Sequence, residues 1–433
     1  MTGPKAMIAD ATLAVEVQKR IFNKIAWRLL PILSLAYIFN FLDRTNVGFA
    51  ALTMNHDIGL SASQFGLGAG IFFVSYCLFE VPSNLALYRF GARRWLARIM
   101  ITWGFASAAS ALAIGPTSFY AVRLLLGAFE AGFFPGVAYL VSLWFPAEYR
   151  ARIFAWFLVA VPVSSLISGP VSGLMLGLNG LGGLAGWQWL FILEAVPSVI
   201  IGIAFLWLIT DHPTQAMWLT SQERQIVVEC LASEKRERSI HHFLPAMKDV
   251  RVWLLTCIAF GFFTGSYGIQ IWLPLIIKQG NFSNQVVGFI TGFIYLVAAI
   301  GMIFWAEAAG RSGRKIFHLT LTCVISAVGL GVALIPGSLP LSLAGITLAL
   351  IGTSAVRAIF WSIPPRFLTG TAAAGGIAVI NSIGTTGGFF GPSIMGWMKD
   401  LTGSFTVGLA VMAGFLIMSA IIAASLRLAI KNE

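Results

Sequence analysis

Twelve runs of mostly apolar residues, each 20 to 28 residues long, follow one another along this chain. They lie at 27–51, 64–87, 95–114, 118–144, 153–177, 188–209, 252–278, 284–309, 316–336, 341–363, 371–398 and 404–428. About 20 apolar residues carry a helix across a bilayer. Of 433 residues, 58% are hydrophobic and only 10% are charged, against roughly 25% charged in a soluble domain. No soluble fold hides that much apolar surface. Lipid is therefore the solvent, and each span must satisfy its own backbone as a helix. The expected fold class is all-α integral membrane, with twelve transmembrane helices.

The runs divide six and six around a polar stretch at 210–250. Of the 28 Lys and Arg residues, 23 fall in the N-terminus, the C-terminus and every second loop; Lys278 and Lys399 alone lie in the alternate loops. Such a bias places both termini in the cytoplasm. The expected organisation is an N-terminal six-helix bundle (1–209), a cytoplasmic central loop (210–250) and a C-terminal six-helix bundle (251–433). The substrate site of such repeats lies between them, near the midplane. The net charge of +11 follows from the loop bias, so nucleic acid is not an expected partner. Residues 1–26 lack the compact apolar core of a signal peptide and read as a cytoplasmic amphipathic lead-in. In the central loop, "TSQERQIVVECLA" reads as a short surface helix, and His241 and His242 as solvated. Cys77, Cys230, Cys257 and Cys323 are scattered. They read as small core hydrophobes, with no metal, disulfide or cofactor implied. No nucleophile–base constellation points to an enzyme.

Seven ionisable side chains fall well inside spans: Asp43, Arg44, Glu80, Arg123, Glu130, Glu194 and Arg357. A charge at the bilayer centre costs at least ~2.5–3.5 kcal/mol and marks a functional candidate. Asp43 and Arg44 stand together in "LAYIFNFLDRTNVGF". At 1.5 Å per residue, they fall at a depth similar to that of Arg123, with Glu130 near the middle of its span. Arg123 and Glu130 are two helical turns apart on one face. Buried acids are proton sites, and arginines grip carboxylates in a bidentate fork. Together they describe exchange of a proton for an anion on shared groups. Glu80 reads as a gate partner and Glu194 as polar glue between helices. Arg357 has two readings: a snorkelling or gating cation, or a second cavity cation favouring a dianion.

The stretches "FLDRTNVGFA", "YCLFEVPSNLAL", "RLLLGAFEAGFFPGVAYLVSLWFP", "GWQWLFILEAVPS" and "GGIAVINSIGTTGGFFGPSIMGWMKDLTG" resemble the anion:cation symporter family of the major facilitator superfamily. The loops "YRFGARR" and "GRSGRK" resemble that superfamily's loop motif, with Tyr88 where an aspartate is usual. The resemblance implies a proton-coupled symporter of a small organic carboxylate (a sugar acid, a tartrate-like dicarboxylate or an aromatic acid), acting as a monomer in a bacterial inner membrane. It implies Arg44 as the carboxylate ligand, Asp43 and Glu130 as the proton-coupling acids, and Arg123 alternating between Glu130 and substrate. Tyr76, Asn381 and Ser382 fall at positions implied to bind substrate, and Tyr267, Gln270 and Trp272 are expected at the cavity. An anion exchanger of the same fold and a non-transporting nutrient sensor are the alternatives. An uncoupler abolishes net uptake by a symporter and leaves an exchanger's counterflow intact.

Overall fold

The computed structural model describes residues 4–237, 249–364 and 370–429, and these form α-helices and no strand. In the first half the helices are α1 (Pro4–Asp57), α2 (Ala62–Phe90), α3 (Ala92–Ala109), α4 (Pro116–Glu130), α5 (Phe133–Trp144), α6 (Ala147–Leu158), α7 (Ala160–Leu176), α8 (Gly186–Leu208) and α9 (Ser221–Glu237). The second half contains α10 (Val250–Lys278), α11 (Asn284–Ser312), α12 (Lys315–Ala333), α13 (Leu339–Phe360), α14 (Gly370–Thr385), α15 (Gly387–Thr402) and α16 (Thr406–Ala429).

Ten segments among the described residues are long and apolar enough to cross a membrane, not the twelve expected. The expected span at 95–114 is α3, only 18 residues long, which opens on Arg93, Arg94 and Arg98 and tightens into a 3₁₀ turn at Ser110–Leu112. The expected span at 371–398 is broken at Thr386 into α14 and α15, 16 residues each. The lead-in is continuous with the first span, giving one 54-residue helix. The surface helix of the central loop is α9, whereas His241 and His242 lie outside the described residues. Cys323 is buried as expected, but Cys257 is exposed, on a helix whose outer face needs only to be apolar.

Local chemistry sets the helix ends. Ser61 and Gln64 form a reciprocal capping box at the start of α2: Ser61 Oγ accepts from Gln64 N at 3.2 Å, and Ser61 N donates to Gln64 Oε1 at 3.0 Å. The same helix start is capped from the other half of the chain. Ala62 N and Ser63 N donate to the two carboxylate oxygens of Asp400, at 3.1 and 2.8 Å, where a negative group complements the helix dipole. Near this end Trp187 Nε1 donates to Asp57 Oδ2 at 2.9 Å, joining α8 to α1.

The two halves meet most closely at this α1–α2 end. Gly169 of α7 and Gly288 of α11 approach so closely that a Cβ on either would strike the other's carbonyl oxygen. Trp272 of α10 packs edge-on to Phe65 of α2 (5.1 Å) and donates to Pro392 O of α15 at 3.1 Å. Further along α2 the polar contacts lengthen. Cys77 and Glu80 each meet Ser382 of α14 at 3.5 Å. The molecule is shut at the α1–α2 end.

At the opposite end, α9 docks on α1. Lys24 Nζ donates to both oxygens of Glu223 at 2.8 and 2.9 Å, and Thr220 N donates to Glu223 Oε2 at 2.9 Å. The Lys24 bond, backed by Thr220, holds the Glu223 carboxyl below the usual glutamate range. A carboxyl held low adds stability above the ordinary value, about pH 4, and loses it as pH falls through its own lower value. For a pair this exposed the gain is below ~1 kcal/mol. A fluorophore on Cys230, which accepts a hydrogen bond from Gln18 of α1 at 3.3 Å, should therefore report loosening of α9 only in acid below that range. Glu223→Gln should remove the pH dependence. An unchanged acid transition in that variant would assign the docking to other contacts.

Candidate functional site

Adjacent residues on a helix project about 100° apart, and Asp43 and Arg44 accordingly face different surroundings. Arg44 crosses to α4. Its Nη2 and Nε lie 2.5 and 2.6 Å from Glu130 Oε1. The guanidinium also stands over the rings of Tyr76 (4.8 Å) and Phe72 (5.6 Å). Glu130 is fully buried and its Oε2 has no hydrogen-bond partner. Glu130 is also the last residue of α4. Gly132 (φ +87°) turns the chain there before α5, in a left-handed conformation that favours glycine. Removing one member of a buried pair strands the other, at ~3–5 kcal/mol.

Arg123 does not hold Glu130 in this state. Two turns of one helix separate them by about 10 Å, and the α1 arginine fills that gap instead. Arg123 is fully buried, stands 5.0 Å above the Phe72 ring, and leaves Nε and Nη1 without hydrogen-bond partners. Asp43 turns into the bundle. Its Oδ1 accepts from Ser107 of α3 and, at 3.2 Å, from Asn46.

In the second half, Arg357 of α13 borders a small cavity of about 60 Å³, partly open to solvent, together with Ser266, Gln270, Tyr295 and Thr353. Val161, Pro162 and Ser165 of α7 close it from the first half. Arg357 reaches Ser266 Oγ only at 3.4 Å, and its Nε and the Tyr295 hydroxyl are buried without partners. Arg357 also stands over Phe263 (5.7 Å) and Tyr267 (5.8 Å). Arg44 does not line this cavity.

The sequence-predicted residues thus separate into groups. Arg44, Glu130 and Tyr76 form one contact, while Gln270 and Arg357 share the cavity, with Tyr267 beside Arg357. Ser382 is drawn to Glu80 and Cys77 across the halves, and Asn381 beside it is half-buried. Trp272, expected at the cavity, is instead 1% exposed and packed at the closed end against Phe65, Phe405 and Pro392. Its indole supplies interhelical packing there, so its assignment to the cavity is corrected. Sequence reasoning missed Tyr37, Asn46 and Tyr295. Asn46 was legible as the residue one turn beyond Asp43, but the two tyrosines carry no signal that separates them from packing aromatics. No cluster of three or more His, Cys, Asp or Glu suits a metal among the described residues.

Residues 33–392 match the Major Facilitator Superfamily. A protein of Agrobacterium vitis described as "Putative tartrate transporter" is 46% identical over 415 residues, covering 95% of this chain and 92% of its own. The "Quinolone resistance transporter" of Acinetobacter baumannii is 39% identical over 400 residues, covering 91% of this chain and 92% of its own. The crystal structure of a bacterial homologue of the human lysosomal transporter Spinster superposes with a TM-score of 0.75 at 17% identity, covering 94% of this chain and 97% of that one. Multi-pass, without strands among its described residues and so matched along its length, the chain is a membrane transporter, not an enzyme, and belongs to the Major Facilitator Superfamily.

Proposed function

We propose that this chain is a proton-coupled symporter that imports a small organic dicarboxylate through a bacterial inner membrane by alternating access. The observation that carries the reading is an arginine in each half, Arg44 stacked over Tyr76 and Arg357 stacked by Tyr267 at the cavity that both halves line. Arg357 leaves Nε unpartnered there, which suits a carboxylate oxygen. The Gln270, Thr353 and Tyr295 side chains suit substrate hydroxyls. A hydroxylated dicarboxylate of the tartrate kind, as in the description of the Agrobacterium vitis relative, fits this donor set.

In this reading α3 and the broken pair α14–α15 complete twelve spans, arranged as bundles at 1–209 and 251–433 around the loop at 210–250. Both termini lie in the cytoplasm and the protein acts as a monomer. The arginine-rich loops place the shut α1–α2 end outside, so the cavity faces the cytoplasm. Arg44 alternates between Glu130 and a substrate carboxylate. Protonation of Glu130 releases Arg44 to the substrate, and deprotonation recovers it. Asp43 is the second proton-coupling acid. Arg123 stands unpaired close by and takes over Glu130 when Arg44 is engaged. Tyr76, Tyr267, Asn381 and Ser382 border the substrate path.

Arg44→Lys keeps the charge and loses the fork. One charged hydrogen bond is worth ~1.5–3 kcal/mol, so the dissociation constant of the transported acid should rise roughly ten- to a hundredfold in a thermal-shift titration. Near-parental affinity would remove Arg44 from the substrate site. Glu130→Gln mimics the protonated acid. Counterflow should survive while uphill accumulation under a pH gradient disappears; intact accumulation would exclude Glu130 as a coupling acid. Arg357→Gln should weaken a dicarboxylate at least tenfold and leave a matched monocarboxylate nearly unchanged. Equal loss of both, or slower transport with unchanged binding, would make Arg357 a gate and leave the substrate a monoanion.

A further inference from the structure

The start of α2 is capped twice, once by its own residues and once from the other half of the chain. The Ser61–Gln64 box is enough to hold a first helical turn. Asp400 of α15 caps the same turn again: Oδ1 accepts from Ala62 N at 3.1 Å and Oδ2 from Ser63 N at 2.8 Å. No cation lies within salt-bridge distance of Asp400 among the described residues. Its neighbour Lys399 turns away, donating to Gly403 O and standing 4.7 Å from the Phe405 ring. The charge of Asp400 is therefore met by the backbone N–H groups and the positive dipole end of α2.

Behind this contact the two helices run antiparallel, backbone on backbone. A Cβ on Gly396 would strike Ala62 O, one on Gly66 would strike Pro392 O, and one on Gly70 would strike Phe389 O. Ser393 Oγ reaches Gly66 O at 3.4 Å in the same seam. Small-residue contacts of this kind are van der Waals contacts, with no charge to hold them. Among the described residues, Asp400 is the one carboxylate bonded across the halves at this end.

We propose that Asp400 is a positioning residue for transport: its carboxylate latches the start of α2 while this end is shut and lets go when the halves part, so it sets how often the end opens. On release the carboxylate and the two N–H groups pass to water. The Ser61–Gln64 box stays behind and keeps α2 helical, so the latch opens without unwinding the helix it holds. A charge acts on a helix start only within the first turn, which makes the latch short-ranged and lost early in the separation.

The inference rests on the alternating access of the reading above, not on its substrate or its proton. The test is amide hydrogen exchange on the purified full chain in lipid nanodiscs, with no ligand added. Asp400→Asn removes the charge. Exchange should rise about two- to fivefold, the loss of one charge–dipole contact. The rise should span the whole shut end: 61–70 of α2, 389–396 of α15, and 284–292 of α11, where Gly288 meets Gly169 and not Asp400. Asp400→Glu keeps the charge and should stay nearer the parent. Ala62→Pro deletes one donor from the other side of the contact. Proline is accepted at the first position of a helix, and Ser61 already has the extended backbone that a following proline requires (φ −71°, ψ 166°). It should raise exchange at 284–292 by less, and its effect should not add fully to that of Asp400→Asn. It carries the test if Asp400→Asn does not reach the membrane. A rise confined to 61–70 would make Asp400 a plain cap of α2 and overturn the latch. Parental exchange at 284–292 in both variants would also overturn it, and would leave alternating access standing where the parent's shut end exchanges faster than by global unfolding. A shut end that exchanges only by global unfolding, in parent and variants alike, would overturn both readings.

Discussion

The Arg44–Glu130 ion pair ties α1 to α4 in the middle of the first half, and the site is organised around it. Neither partner reaches water freely; Glu130 is fully buried and Arg44 is 12% exposed. Each charge is tolerated there only because the other is present. The contact decides which side chains are left over. Arg123 keeps two unpaired guanidinium nitrogens, and Asp43 turns away to Ser107 and Asn46.

Rigid-body movement also needs surfaces that part cleanly. At the shut end the halves touch through glycine backbones and a carboxylate on a helix start, Gly169 on Gly288 and Asp400 on Ala62 and Ser63. Such contacts close tightly without interlocking long side chains, and they leave few rotamers to rearrange when the halves separate. Trp272 contributes to the same seam, which is why a residue with the chemistry of a ligand-stacking aromatic serves as packing.

Much of this was legible beforehand because lipid leaves few choices. Long apolar runs must be helices, and each charge within a span calls for a partner. Thus Arg44, Glu130 and Arg357 stood out from composition alone. The structure departs from the sequence reading where membrane logic is weakest: α3 opens on three arginines, and the run at 371–398 is broken at Thr386, so neither forms one long apolar helix. Tyr37, Tyr295 and Trp272 could not be sorted into cavity and core, because an aromatic ring satisfies either environment equally well.

The sequence by itself determined that the chain is a helical membrane protein and which residues carry buried charge. Those follow from the cost of placing polar groups in lipid, which is local to each span. Only the tertiary structure decided the partners: Glu130 with Arg44 and not Arg123, Glu194 with Ser172, Arg357 at a cavity and Trp272 at a seam. Pairing depends on how helices rotate and tilt against one another. That is fixed by close packing summed over many side chains, a property no single span contains.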